Sequence, residues 1–153
     1  MADPTIEAAR DILADSLVEL RTAVDGCTPD ELNARPGGDD TNALAVLITH
    51  AMHSTRSWLS LATHAPLPER DRPSEFRVVI GDADTFMAWL DAIGEECRSL
   101  LDGDVTFDPG AVGKAPWSTS RADEPVTAAW ALLHALEHLR EHVGHAQLTR
   151  QLL

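Results

Sequence analysis

Apolar residues recur at spacings of three and four along four long stretches of this chain, and this repeat constrains the fold more than any other feature. The stretches run from Met1 to about Asp25, from Thr41 or Asn42 to just before Pro66, from Asp82 or Asp84 to Gly103, and from Asp123 or Thr127 to Leu153. Such spacing puts the apolar side chains on one face of an α-helix. No stretch shows the period of two that is typical of a half-buried strand. The sequence therefore predicts one all-α domain over residues 1–153, an antiparallel four-helix bundle.

The segments between these helices carry local signals of their own. Asp3 and Pro4 suit the start of the first helix, and Pro125 suits the first turn of the last one. Thr28 to Leu32 reads as one short helical turn with a capping box, because Glu31 stands three residues after Thr28. Two connections are expected to be irregular, namely the proline-rich residues 65–77 and a long loop over 104–123, whereas residues 78–80 are too few to classify.

Charge and composition exclude several classes of protein. The chain has 12 Lys plus Arg against 25 Asp plus Glu, a formal net charge of −13, which disfavours binding to nucleic acid or to an anionic membrane surface. The N-terminal residues lack the basic patch of a signal peptide, and no apolar run approaches the length of about 20 residues that a membrane span requires. We expect a cytoplasmic protein. Its two cysteines give no disulfide framework: Cys97 is expected to be buried, and Cys27 could be exposed.

Four of the seven histidines lie in the last helical stretch, at positions 134, 138, 142 and 145. A helix advances about 100° per residue, so these four side chains fall within about 80° of one another. His138 and His142 are four residues apart, a spacing that lets two side chains from successive turns bind one ion. We interpret this pair as half of a metal site.

The second helix offers the other half, because His50 lies on it, with His53 one turn later. Bundles build metal sites from facing helices, and neutral imidazole binds zinc, nickel and iron. Three nitrogen donors would leave one or two positions for water or substrate, as in a catalytic site. His50 alone could equally be an ordinary boundary residue. His53, His134 and His145 could be further ligands, could orient ligands, or could bond carbonyls at the rim.

Three segments also resemble one known family, the DinB-like proteins. They are Thr28-Pro29-Asp30-Glu31-Leu32-Asn33-Ala34-Arg35-Pro36, the stretch from Asn42 through His50 to Trp58, and the stretch from Leu133 through His138 and His142 to His145. The resemblance implies a four-helix bundle of the DinB and mycothiol-dependent maleylpyruvate isomerase superfamily. It also implies a divalent metal, with zinc expected before nickel or iron, held by His50, His138 and His142, and a homodimer.

The resemblance joins features of two branches of that superfamily. The mycothiol-using branch has Glu at the place of His138, yet its Gly-His ending is similar to Gly144-His145 of this chain. Proteins of this kind are implied to be thiol S-transferases or isomerases that use mycothiol, bacillithiol or glutathione.

Three interpretations follow. In the first, the chain is an enzyme that adds a low-molecular-weight thiol to an electrophilic small molecule. Glu137, Glu141 or His53 would then move protons or orient ligands, Trp117 and its loop would cover the pocket, and Arg56 is a candidate for binding the thiol, unless it is a plain surface arginine. In the second, the bundle binds a metal or ligand under stress without turnover. In the third, the histidines form a polar seam at a dimer interface.

Overall fold

The structure, a computed structural model, describes residues 3–103 and 105–153. Its elements in chain order are α1 (Pro4–Val24), α2 (Pro29–Asn33), α3 (Leu44–Ala62), α4 (Arg72–Glu75), α5 (Ala83–Ser99), β1 (Val112–Lys114), β2 (Pro125–Thr127) and α6 (Ala128–Gln151). Within these ranges, no helix combines the length and the apolar character that crossing a bilayer requires.

The four long helices pack side by side around one apolar core. α6 packs most extensively on α3 and also on α1, and α5 contacts both α3 and α1, so the order around the bundle is α1, α6, α3, α5. Leu13 and Leu20 of α1, Ile48 and Leu59 of α3, and Leu139 of α6 are at most 1% exposed. The predicted all-α bundle is therefore confirmed, and α3 and α6, which carry most of the histidines, face each other directly.

Several predicted helix ends are confirmed by their caps. The side chain of Asp3 accepts a hydrogen bond from the Thr5 amide at 2.7 Å, and Pro4 is the first residue of α1. The predicted start of this helix at Met1 lies outside the described residues. The capping box of Thr28 and Glu31 is present at α2, and Asp82 caps α5. Polar side chains thus satisfy the amides that a helix start leaves without a partner.

The predicted start of α3 is wrong, whereas of the two starts predicted for α6, Asp123 and Thr127, the one at Thr127 is confirmed. α3 begins at Leu44 rather than at Thr41 or Asn42, because the Thr41 hydroxyl donates to the Gly38 carbonyl at 2.8 Å and closes the preceding loop instead. α6 begins after Thr127, whose side chain accepts from the Trp130 amide at 3.2 Å. Pro125 therefore lies in a strand and not in the first turn of the helix, and Asp123 is not a cap.

The long loop contains a small hairpin that the sequence did not predict. β1 and β2 pair antiparallel, with Gly113 opposite Val126, and each strand is only three residues long, too short to show a period of two. The hairpin lies against α3: a Cβ atom at Gly113 would sit 2.5 Å from Cδ1 of Leu61. The segment that follows β1 includes Trp117. Asp104, the first residue of the predicted loop, lies outside the described residues.

The proline-rich connection also holds an unpredicted helix, α4, whose start is capped by Asp71. Residues 78–80 that follow it form an ordered loop rather than a strand. The Asn33 side chain bonds both backbone groups of Ile80, at 2.8 Å each, and so ties this loop to α2. α4 itself contacts α3, where Glu75 meets His50, so the connection contributes to the site.

Candidate metal centre

Three imidazoles from two helices meet between α3 and α6. His50 on α3 and His138 and His142 on α6 each offer one nitrogen, and these nitrogens all lie within 4.8 Å of one another. The ring centroid of His50 lies 5.1 Å from that of His138 and 5.2 Å from that of His142. His50 is buried and the other two are half-buried. The structure thus brings together the three residues that the sequence singled out, and this group could hold a metal ion.

The spacing of the two α6 imidazoles suits a shared ion. Their Nε2 atoms are 3.3 Å apart. Two nitrogens that each lie about 2.0–2.1 Å from one tetrahedral zinc ion are separated by about 3.3–3.4 Å. The donor set is also chemically suitable, because neutral imidazole is a ligand for zinc, nickel and iron.

Burial keeps these two imidazoles unprotonated. It lowers the pKa of His138 to about 3, with the neighbouring His142 and His50 adding to the effect. Burial likewise lowers the pKa of His142 to about 4, together with His50 and His145. Both rings are therefore neutral near pH 7, and their nitrogen lone pairs are free to bind a cation.

A buried carboxylate, which the sequence did not predict as part of the site, orients His50. Oε2 of Glu75 lies 2.8 Å from Nδ1 of His50. Arg70 donates to both carboxylate oxygens of Glu75, from Nε at 2.7 Å and from Nη2 at 3.0 Å. Burial by itself would raise the pKa of Glu75, but the hydrogen bonds from His50 and Arg70 and the charge of Arg70 outweigh it, so this pKa is lowered.

The ionised Glu75 can only accept hydrogen bonds, which fixes the tautomer of His50. Nδ1 of His50 must carry the proton that it donates to Glu75, and Nε2 is left with its lone pair toward His138 and His142. Carboxylate–histidine pairs of this kind hold metal ligands in many proteins. By contrast, the Nδ1 atoms of His138 and His142 are buried and, among the described residues, have no hydrogen-bond partner.

A cavity of about 110 Å³ lies beside His50 and His138. Its wall is mostly polar and includes the residues Arg70, Arg72, Ser118, Thr119 and Ser120. Trp117 also lines it and packs edge-on against Trp58 of α3, with centroids 5.5 Å apart. The loop between β1 and β2 therefore covers one side of this cavity, and Trp117 belongs to that loop.

The other three candidate histidines lie beside His50, His138 and His142 rather than among them. His134 also lines the cavity and packs against Trp58 and Trp130, with centroids 4.9 and 4.6 Å apart. His145 is exposed, and its ring lies 5.5 Å from that of His142. His53 points to a different cavity, next to Trp89 of α5. On α6, the row of imidazoles thus continues on both sides of His138 and His142, to His134 in one direction and to His145 in the other.

Several other candidates lie away from the three imidazoles. Glu137 and Glu141 are exposed to solvent on α6, and the Oε2 atom of Glu137 lies 3.5 Å from Nδ1 of His134. The guanidinium of Arg56 pairs with Glu96 of α5 at 2.8 Å and does not line the cavity beside His50. Among the acidic residues that the structure describes, Glu75 is thus the one in direct contact with a candidate ligand.

Both cysteines are buried, so the expectation that Cys27 could be exposed is wrong. Cys27 is 5% exposed because the end of α6 covers it, where the guanidinium of Arg150 contacts its sulfur. Burial raises the pKa of Cys27, and it raises that of Cys97 to about 12. Neither side chain offers a reactive thiolate.

Sequence reasoning overlooked Glu75 and Arg70 because they lie in a connection that reads as irregular. One signal was present: Asp71, Pro73 and Glu75 follow one another as a cap, a first-turn proline and a first-turn acid. That pattern predicts a short helix in this connection. It does not predict that the helix folds back onto His50.

Comparison with known proteins identifies the family. A solved crystal structure of a conserved protein from Enterococcus faecalis superposes with a TM-score of 0.74 at 20% sequence identity, over 99% of this chain and 97% of that one, and shows that the two share a fold. Among curated proteins, none matches the chain. The sequence model of the mycothiol-S-transferase family matches residues 8–153, nearly the whole chain. The chain therefore belongs to the mycothiol-S-transferase family, within the DinB-like superfamily.

Proposed function

We propose that this protein is a metal-dependent S-transferase that joins the sulfur of mycothiol to an electrophilic small molecule. The observation that carries the proposal is the convergence of the nitrogens of His50, His138 and His142 within 4.8 Å, beside a polar cavity. Family membership supports mycothiol as the thiol. A divalent cation bound to these nitrogens, zinc in our proposal, would lower the pKa of a thiol so that its sulfur is nucleophilic near pH 7.

The residues of the chain supply binding, orientation and exclusion of water. His138 and His142 offer unprotonated nitrogens, and Glu75 holds His50 in the tautomer whose Nε2 can bind the cation. Ser118, Thr119 and Ser120 line the cavity with hydroxyl groups, which suits a polar, hydroxyl-bearing thiol. Trp117 and Trp58 close one side and exclude water from it.

The reaction itself needs no redox partner. A carbon–sulfur bond forms between the thiol and the electrophile, the leaving group departs with the electron pair of the broken bond, and the thiol proton goes to solvent. The two buried cysteines of the chain take no part, because burial keeps both as neutral thiols.

Two measurements on protein purified without a histidine tag test the proposal. Metal analysis should find about one equivalent of divalent metal per chain. Incubation with mycothiol and monochlorobimane should give the fluorescent thioether, and His142→Ala should lose both the metal and the turnover. The matched control is His64→Asn, because His64 is exposed at the end of α3 with a φ of 55°, a conformation that Asn tolerates.

The outcomes separate the interpretations. Bound metal without thiol transfer would contradict the enzyme and leave a metal-binding bundle. Absence of metal from the wild-type protein would contradict both, and would leave the histidines as a structural seam. Transfer that survives His142→Ala would contradict the assignment of the site.

A further inference from the structure

Two arginines line the cavity beside the three imidazoles, and no Asp or Glu of the described chain lines it. Arg70 is engaged with Glu75, whose carboxylate it binds through Nε and Nη2. The charges of that pair offset each other, so the positive charge that remains at the cavity wall is that of Arg72. The wall is therefore positive, in a chain whose formal net charge is −13.

Arg72 has no acidic partner of its own. Other arginines, such as Arg21 and Arg140, form ion pairs with a carboxylate. The half-buried Arg72 forms no ion pair with any residue that the structure describes. Instead its guanidinium carbon lies over the ring of Phe76, 5.1 Å from the centroid. A guanidinium that stacks on a ring can still donate hydrogen bonds from the N–H groups at its edge.

This stacking places the guanidinium near the candidate metal centre, and its donors are accessible. The ring centroid of Phe76 lies 4.8 Å from that of His50, so Phe76 connects Arg72 with a candidate ligand. Buried side-chain atoms without a hydrogen-bond partner occur in the described chain, for example Nε of Arg56, but none of them belongs to Arg72. The unpaired N–H groups of Arg72 therefore contact solvent, and a ligand can reach them.

The chemistry of this wall suits a compact carboxylate. A guanidinium binds a carboxylate through two parallel hydrogen bonds when its N–H groups are free. The cavity volume of about 110 Å³ is well below the roughly 300 Å³ at which pockets for drug-sized ligands begin, so the second substrate must be small. Mycothiol itself carries no carboxylate, because its cysteine is linked as an amide. The acidic group must therefore belong to the electrophile.

We propose that Arg72 selects electrophiles that carry a carboxylate, so that the preferred second substrate is a small electrophilic acid. This inference rests on the proposed function, because it names the substrate class of the same site. The carboxylate pairs with Arg72 and is unchanged by the reaction. The thiol sulfur forms a bond to the electrophilic carbon, the leaving group departs with the electron pair of its broken bond, and the thiol proton goes to solvent.

Iodoacetate and iodoacetamide test this preference, because they share the reacting carbon and the leaving group and differ in charge. Mass spectrometry measures formation of the thioether from mycothiol by the zinc-loaded, untagged protein. For each compound, kcat/KM is divided by the rate constant of the uncatalysed reaction. The quotient should be about tenfold larger for iodoacetate, an effect between that of an exposed ion pair and that of a buried charged hydrogen bond. Equal quotients would overturn the proposal.

Variants assign the preference to one side chain. Arg72→Gln should bring the two quotients to about the same value, whereas Arg72→Lys, which keeps the charge without the planar fork, should retain part of the preference. The matched control is Arg77→Gln, because Arg77 belongs to the same connection but is exposed and does not line the cavity. It should keep the full preference. The same preference in Arg72→Gln and in Arg77→Gln would contradict the role of Arg72.

A second pair of variants leaves α4 untouched, in case Arg72→Gln does not fold. Thr119→Asp places a carboxylate on the wall of the same cavity, at an exposed residue of the loop between β1 and β2. It should neutralise the wall and abolish the preference for iodoacetate, whereas the uncharged Thr119→Asn should keep it. A preference that survives Thr119→Asp would count against a carboxylate bound in this cavity.

A binding measurement without turnover separates this proposal from the proposed function. With metal-free protein, the ¹⁹F NMR line of trifluoroacetate should broaden, and the broadening should disappear with Arg72→Gln but not with Arg77→Gln. The line of trifluoroacetamide should change little with any of these proteins. Absence of thiol transfer to both iodo compounds would contradict the proposed function. Trifluoroacetate broadening that is the same in wild type and Arg72→Gln would overturn the assignment of Arg72.

Discussion

Nδ1 of His50 donates a hydrogen bond to Oε2 of Glu75 over 2.8 Å, and both side chains are buried. Arg70 holds the same carboxylate through two further bonds, so the orientation of His50 depends on a connection that lies outside the bundle helices. Residues that orient metal ligands contribute to metal affinity without binding the metal themselves.

Glu75→Gln should therefore weaken metal binding without removing a ligand. The amide cannot keep the negative charge that fixes His50 and pairs with Arg70, and we expect a loss of about 10- to 100-fold in zinc affinity. Competition with a chromophoric chelator measures it, and circular dichroism shows whether the variant is folded. Glu137→Gln, an exposed change on α6, is the control. Equal affinities for the two variants would show that Glu75 has no role in orienting His50.

Metal binding should stabilise the fold, because the three nitrogens come together only in the folded chain. With free zinc at about 100 times its dissociation constant, the gain is about 2.7 kcal/mol, which raises Tm by about 5–10 °C for a chain of this size. Differential scanning fluorimetry with zinc and with EDTA measures the shift. His138→Ala should show almost no difference between the two conditions. A shift of similar size in that variant would place the bound zinc elsewhere.

The metal-free protein should lose stability as the pH falls from about 6.5 toward 5. The pKa of His138 is lowered to about 3 and that of His142 to about 4. In the unfolded chain both titrate near 6.5, so below that pH the unfolded state binds more protons than the folded state does, and stability decreases. Glu75 acts in the same direction, but only below about pH 4.5, outside this range.

Thermal melts of the metal-free protein at pH 7, 6 and 5 measure this effect. His138→Gln removes one of the groups that must take up a proton on unfolding, so its Tm should fall less steeply than that of the wild type. His64→Asn, which removes an exposed histidine, is expected to follow the wild type. Parallel curves for all three proteins would mean that the buried imidazoles do not cause the loss.

The sequence alone predicted the four long helices and the three imidazoles, because both depend on regular spacing. Apolar repeats of three and four define the helical faces, and the i, i+4 pair His138 and His142 needs only one helix to be read correctly. Pairing them with His50 required that α3 and α6 face each other, which the family resemblance implied and the spacing did not.

The remaining parts of the site depend on contacts between segments far apart in the chain. Glu75 meets His50 because a four-residue helix folds back onto α3, and no periodic pattern records that contact. The hairpin has strands of three residues, too short to alternate, and it packs on α3 where Gly113 approaches Leu61. The exposure of Cys27 was misjudged for the same reason, since Arg150, from the other end of the chain, covers it.

Both thiols should be unreactive in the native protein. Burial raises the pKa of Cys97 to about 12 and also raises that of Cys27, so at pH 8 neither is a thiolate and neither is accessible. Titration with Ellman's reagent at pH 8 should detect almost no thiol within minutes, and two per chain after denaturation. Rapid reaction of one thiol in the folded protein would make that cysteine a competing nucleophile, contrary to the proposed role of an external thiol.

Finally, the hairpin should tolerate little at Gly113. Its Cβ position lies 2.5 Å from Cδ1 of Leu61, so Gly113→Ala should force the hairpin or the leucine to move, at a cost of about 1–3 kcal/mol. Gly110→Ala is the matched control, because a Cβ atom there meets only Asp108, at an ordinary 3.6 Å. Urea denaturation measures the free energy of unfolding of each variant.

The double variant Gly113→Ala with Leu61→Ala tests whether this contact causes the loss. Leu61→Ala alone should destabilise α3 by about 2–5 kcal/mol, since Leu61 is buried. In the double variant the new methyl group enters space that the leucine has left, so the total loss should be smaller than the sum of the two single losses. Strict additivity would mean that the hairpin is held by other contacts, and that the packing of Gly113 on α3 does not position Trp117.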